Sequence, residues 1–104
     1  MEVGIVIVSY NSAAVLGACL NSIPSGHEVI VVDNASHDAS ENIAAAAGAK
    51  VVRNELNIGF GAACNIGARL LSSSHVLFLN PDAILEEGAL VVRVIQNEDR
   101  AVSV

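Results

Sequence analysis

The stretch Ser74-His75-Val76-Leu77-Phe78-Leu79-Asn80-Pro81-Asp82 decides the fold. Val76–Leu79 is apolar without alternation, which suits a strand of a parallel sheet covered on both faces. Asn80-Pro81-Asp82 ends that strand abruptly, because proline has no N–H to give to the ladder. In open α/β sheets, ligands gather beyond the carboxyl ends of the strands. Asp82 therefore stands where a binding group is expected, provided the other strands end beside it.

Upstream, the β-branched run Val3–Val8 reads as a buried first strand that stops at Ser9-Tyr10-Asn11-Ser12. Ser12 is the expected N-cap of a helix with Val15, Leu16, Cys19, Leu20 and Ile23 on one stripe, ended by Pro24-Ser25-Gly26. Val29–Val32 is a second strand leading into Asp33-Asn34-Ala35-Ser36. Asp38 with Glu41 predicts a capping box that opens a helix over Ala39–Ala47, with Gly48 as its C-cap. Lys50–Arg53 is a short third strand followed by a polar loop, Asn54–Asn57. A third helix is expected from Gly59 to Ser72, with Ala63, Ile66, Gly67 and Leu70 facing inward. Its glycines are costly for a helix, which points to close packing or to backbone approach to a ligand. Beyond Asp82, Glu86–Asn97 reads as a helix and Ala101–Val104 as a last short strand.

Strand and helix thus alternate, with connections long enough for parallel crossovers. The expected fold is α/β, a Rossmann-like, mostly parallel sheet in the order 3-2-1-4 with helices on both faces. Its order reverses between the first and fourth strands, so Ser9–Asn11, Asp33–Ser36 and Asn80–Asp82 would surround one crevice. The chain stops as a strand begins, which predicts a fold that continues past residue 104.

Composition bounds the function. With 104 residues and 53% hydrophobic content, this is one small domain with a real core. Aromatics supply 3%, so Val, Ile, Leu and Ala must build that core. The net charge of −6 disfavours nucleic acid as a partner. With five Lys and Arg, a phosphate-bearing ligand would need a helix N-terminus or a metal to neutralise it. No apolar run approaches the roughly 18 residues that span a bilayer, and no signal peptide is read at the N-terminus. Cys19 and Cys64 read as buried free thiols of a reducing compartment. His27, His37 and His75 lack metal-ligand spacing and read as surface residues.

Two carboxylates have both a plain and a functional reading. Asp33 is either a turn residue forming an Asx-turn or an acceptor for a ligand's N–H or hydroxyl groups. Asp82 is either a turn carboxylate or a single hard oxygen ligand for Mg²⁺ or Mn²⁺, which would also hold phosphate oxygens. Gly59-Phe60-Gly61-Ala62-Ala63-Cys64 nearly matches a dinucleotide fingerprint, but it has Cys64 for the third glycine and lacks the tight turn after a strand. No phosphate-binding loop of the Gly-x-x-x-x-Gly-Lys-Ser/Thr type and no Gly-x-Ser-x-Gly elbow is present.

Four segments in order resemble the family 2 glycosyltransferases, which have the GT-A fold. They are Val6-Ile7-Val8-Ser9-Tyr10-Asn11, Val31-Val32-Asp33-Asn34-Ala35-Ser36-His37-Asp38, Asn57-Ile58-Gly59-Phe60-Gly61 through Gly67, and Leu79-Asn80-Pro81-Asp82. The Asn-Ile-Gly-Phe-Gly and Asn-Pro-Asp forms look most like the rhamnosyltransferase-like branch, with its bacterial cell-surface glycan transferases. The resemblance implies that Ser9, Tyr10 and Asn11 line a nucleotide pocket and that Asp33 binds a pyrimidine base. It implies that Asn57, Asn65 and Asn80 contact the donor, and that Asp82 holds Mg²⁺ or Mn²⁺ where the family carries Asp-x-Asp. The donor would be a UDP-, dTDP- or GDP-linked sugar, and the acceptor a glycan or lipid-linked glycan.

By the same resemblance, transfer inverts the anomeric centre, and the catalytic base lies beyond this chain in an acceptor-binding half. Residues 1–104 would be the donor-binding half, inactive alone, and able to form a homodimer through the surface the other half would cover. Glu86 and Glu87 are read as first-turn helix residues and not as that base. The implied location is cytoplasmic, possible also at the inner face of the membrane. Alternatives of another class are a non-catalytic nucleotide-binding module and a dinucleotide-binding domain.

Overall fold

A computed structural model describes residues 2–86 and 101–103. The elements run β1 (Val3–Ser9), α1 (Ala13–Asn21), β2 (Val29–Asp33), α2 (Ser40–Ala46), β3 (Lys50–Arg53), α3 (Phe60–Leu70), β4 (His75–Leu79) and β5 (Ala101–Ser103). All pairs are parallel, in the order β3-β2-β1-β4-β5. The expected order 3-2-1-4 is observed, with β5 added at the β4 edge. Of the helix expected over Glu86–Asn97, all but exposed, non-helical Glu86 lies outside the described residues.

Alternation along each strand sends side chains to two cores. Ile5, Ile7, Val31, Leu77 and Leu79 pack with Leu16, Cys19 and Leu20 of α1 and Ala44 of α2. Val6, Ile30, Val32 and Val76 pack with Ala63 and Ala68 of α3 and with Leu71. The chain steps outward from β1 to β3 with α1 and α2 on one face. It then returns across the sheet with α3 on the other, as right-handed crossovers require. In α3 the inward set shifts: Leu70 is 41% exposed, and Leu71, just past the helix, takes its place in the core.

The close approach expected of the α3 glycines occurs at Gly67 alone. A Cβ there would lie 2.5 Å from a Val6 methyl and 3.2 Å from a Val32 methyl, whereas one at Gly61 would meet nothing within 4 Å. At α2, Gly48 adopts φ 87°; its N–H bonds to Ala45 O at 3.0 Å and that of Ala49 to Ala44 O at 3.2 Å. This is a Schellman ending, as the glycine predicted.

The capping box, however, does not form. The N-cap of α2 is Ala39, without a side-chain cap. Asp38 instead accepts from Ser40 N–H at 2.9 Å and from Ala13 N–H at 3.0 Å, so it caps the neighbouring helix α1. Ser12 sits at the N-cap position of α1, but its hydroxyl donates to Tyr10 O at 3.1 Å and makes no cap bond. Tertiary proximity has replaced a local cap. His27 and His75 are likewise half-buried and bonded, to Val3 O at 3.0 Å and to Ser74 Oγ at 2.8 Å, while His37 is exposed as expected.

At the amino rim, Glu28 Oε1 accepts the N–H and hydroxyl groups of Ser72 and Ser73 at 3.0–3.3 Å, which anchors the turn between α3 and β4 to β2. Desolvation pushes this carboxyl up, but the four serine hydrogen bonds outweigh it and hold it below its ordinary value.

Two measurements follow from these contacts. Gly67→Ala should lose about 1–3 kcal/mol in urea unfolding because the methyl overlaps the sheet, while Gly61→Ala in the same helix should gain about 0.5 kcal/mol from propensity; equal shifts would contradict the packing. Because the Glu28 carboxyl is lowered in the folded state, its contribution is present above its ordinary value near 4.5 and is lost as pH falls through the lower folded value. Tm should thus decline on acidification below that point, and less steeply in Glu28→Gln, which should start from a lower Tm at neutral pH.

Candidate functional site

The carboxyl ends of β1, β2 and β4 lie on one rim, with Ser9 in register with Asp33, and Ile7 with Leu79. Beyond Leu79 comes the turn bearing Asp82, so residues 33 and 82 share the rim the sequence predicts. They have opposite environments. Asp33 is fully buried, whereas Asp82 is exposed.

Both Asp33 oxygens are already engaged. Oδ1 accepts the Ser36 hydroxyl at 2.7 Å, and Oδ2 accepts Ser36 N–H and Arg53 Nη1, each at 3.0 Å. Arg53 also donates Nη2 to Ser36 O at 3.1 Å, so its guanidinium braces both sides of the turn. The Asx-turn expected of Asp33 is formed, and an ion pair with Arg53 reinforces it. Strand alternation explains its burial: Asp33 shares the face of Val31, toward α1 and α2.

The loops beyond β1 and β2 are then laced together. Asn11 N–H donates to Ser36 Oγ at 2.8 Å, His37 N–H to Asn11 Oδ1 at 2.8 Å, and Ser12 N–H to Ser40 Oγ at 2.9 Å. Asn11 and Ala35 adopt φ of 48° and 65°, the left-handed region, which is uncommon for alanine and brings Ser36 back onto Asp33. With Asn11, Ser12 and Ala13 N–H groups all occupied, the entrance of α1 offers no free anion cradle.

An open cleft of about 390 Å³ lies on the other side of the rim, lined by Tyr10, Asn34, Asn57, Gly59, Phe60 and Pro81 among others. Asn34 builds its wall. It is 2% exposed; its Oδ1 accepts Asn54 Nδ2 at 2.9 Å and Ile58 N–H at 3.4 Å, and its Nδ2 donates to Gly59 O at 3.2 Å. Asn57 Oδ1 accepts Gly59 N–H at 2.9 Å. Gly59, at φ 87°, then starts α3, whose first turn has no side-chain cap and faces this cleft. Aromatic surface is concentrated here, with Tyr10 at 48% and Phe60 at 56% exposure.

Of the residues expected to bind, Tyr10 and Asn57 line the cleft, and Asn80 and Asp82 flank its Pro81. Ser9 and Asp33 are buried behind it, and the Ser9 hydroxyl has no partner among the described residues. Asn11 is tied to His37, and Asn65 is exposed on α3 away from the lining. Sequence reasoning placed Asn34 and Ser36 at the crevice within Asp33–Ser36 but gave them no role, and it missed Phe60 and Arg53; for Arg53 the signal was its place opposite Asp33 at the end of an adjacent strand. Among the described residues no three His, Cys, Asp or Glu side chains gather into a metal cage. Asp82 as a lone carboxylate fits a cation that keeps water and phosphate oxygens as its other ligands. Both cysteines are free and buried. Burial, and then the nearby Asp82 charge, pushes the Cys19 thiol up to about 11, and burial raises that of Cys64.

Asp33→Ala should therefore cost stability first. Ser36 N–H and Arg53 would lose their acceptor, for a loss of about 2 kcal/mol in denaturant unfolding. An unchanged midpoint would contradict the structural role assigned to this carboxylate.

The glycosyl transferase family 2 model matches residues 4–104. An uncharacterised glycosyltransferase of Mycobacterium tuberculosis is 34% identical over 88 residues, which cover 85% of this chain and 40% of that protein. The chain thus spans less than half the length of this relative. Staphylococcus aureus TarS, residues 1–349, superposes with TM-score 0.79 at 28% identity, over 86% of this chain and 30% of that one. Glucosyl-3-phosphoglycerate synthase of M. tuberculosis, solved with Mn²⁺, UDP and glucosyl-3-phosphoglycerate, superposes with TM-score 0.68 at 28% identity, over 77% and 33%. The strand order, the rim and the family match agree: the chain belongs to glycosyl transferase family 2 and has the GT-A type of α/β sheet.

Proposed function

We propose that this chain binds a nucleotide-diphosphate sugar, with a divalent cation, for inverting transfer of the sugar to a glycan or lipid-linked acceptor. The observation that carries the reading is the cleft at the β1/β4 reversal, with aromatic surface at Tyr10 and Phe60 and the exposed carboxylate of Asp82 beside Pro81. Support comes also from the synthase of 28% identity, solved with UDP and Mn²⁺ or Mg²⁺.

The roles follow from position. Tyr10 and Phe60 offer ring faces to a base, Asn57 offers a polar edge, and buried Asn34 holds the wall between them in shape. Asp33 acts from behind, holding Ser36 and Arg53 so that the loop keeps its shape, in place of the direct base contact expected from the resemblance. The uncapped first turn of α3 presents N–H groups and a dipole favourable to a diphosphate. Asp82 would hold Mg²⁺ or Mn²⁺, which supplies positive charge against the diphosphate leaving group. The reading includes an acceptor-binding half and a catalytic base outside residues 1–104, and a relation to the rhamnosyltransferase-like branch. It also includes a cytoplasmic location; no helix among the described residues is long and apolar enough to cross a membrane.

Calorimetric titration of UDP, dTDP and GDP with and without Mn²⁺ tests this. One nucleotide should bind, about tenfold more tightly with Mn²⁺. Asp82→Ala should abolish that increment, and Tyr10→Ala should weaken binding with or without metal. Absence of binding by all three nucleotides would sink the reading, and an unchanged Mn²⁺ increment in Asp82→Ala would remove the metal role.

A further inference from the structure

Asp82 makes no hydrogen bond of its own among the described residues, and β4 ends three positions before it. Within its turn, one bond runs from Ala83 N–H to Asn80 O at 3.0 Å. What holds the turn comes from α1 and the residue that caps it. The Cys19 thiol, fully buried, donates to Asn80 O at 3.5 Å. Three residues on, Ser22 Oγ accepts Leu85 N–H at 3.0 Å. The same hydroxyl donates to Cys19 O at 2.6 Å. Ala83 and Leu85 pack on the core that α1 covers.

We infer that Ser22 and Cys19 are positioning residues for Asp82: the end of α1 clamps the segment on both sides of the carboxylate. The inference rests on the donor-binding reading above for what Asp82 does, and adds what holds it. Asp82 lies between anchors at residues 80 and 85, so the six-residue span 80–85 is fixed at both ends and its exposed carboxylate is presented from a preset backbone. Ser22 suits this because a hydroxyl both donates and accepts. Its one proton is directed at Cys19 O, which leaves a lone pair for Leu85 N–H. Alanine can do neither, whereas threonine can do both. Groups that orient a metal ligand without touching the metal commonly change its affinity by about tenfold or more.

The test reads Mn²⁺ binding in the presence of UDP through loss of the free-ion paramagnetic resonance signal. Ser22→Ala should weaken Mn²⁺ about tenfold, Ser22→Thr should restore it, and UDP affinity without metal should stay unchanged in both. Folded Ser22→Ala with wild-type Mn²⁺ affinity would overturn the clamp while leaving the donor reading intact. Wild-type protein without any Asp82-dependent Mn²⁺ binding would overturn both. Should Ser22→Ala fail to fold, amide exchange of the wild-type protein decides: the Leu85 N–H should be protected, and exchange at the rate of an unbonded exposed amide would overturn the clamp.

Discussion

The return of α3 across the sheet governs this structure. To place β4 beside β1, the chain must leave the β3 edge, pass over β2 and β1 on the face free of α1 and α2, and re-enter in parallel. The helix lies close enough to Val6 and Val32 that a methyl at Gly67 would overlap them. That contact sets the depth of α3. The depth in turn sets where its N-terminal turn stands relative to the ends of β1 and β2, and hence the cleft between Tyr10, Asn34 and Phe60.

The two acids of the rim divide the work by burial. Asp33 is out of water and saturated by a serine and an arginine, which removes its charge from the ligand side and stiffens the turn. A buried carboxylate without those partners would be strongly unfavourable, so Ser36 and Arg53 are part of the same device. The second Arg53 contact, with Glu41 at 3.5 Å, joins two half-exposed side chains and contributes little. Asp82 is exposed and forms no ion pair among the described residues, which suits the cation-binding role proposed for it.

The acidic composition fits this arrangement. With Arg53 committed to Asp33, the described rim keeps little positive charge for a diphosphate. In the proposed reading the α3 dipole and a metal on Asp82 would neutralise it, in keeping with the scarcity of Lys and Arg. The entrance of α1 is unavailable, because its amides are bonded to the neighbouring loop at Ser36, Asp38 and Ser40.

Much of the fold was legible because buried parallel strands must be apolar on both faces. Val3–Val8, Val29–Val32 and Val76–Leu79 announce themselves, and the order 3-2-1-4 follows from crossover rules. The capping of α1 by Asp38 was not legible, since it joins loops 25 residues apart that only the sheet brings together. The site divides the same way. That the strands leading to residues 33 and 82 would flank β1 and end on one rim was in the sequence, as were the four family segments. Which face each side chain takes was decided in three dimensions, where the pleat turns Asp33 toward α1 and α2, the left-handed Ala35 brings Ser36 onto it, and Asn34 is left to wall the cleft. Hydrophobic pattern specifies elements because each must bury apolar surface; the direction of a polar side chain just past a strand depends on partners far along the chain.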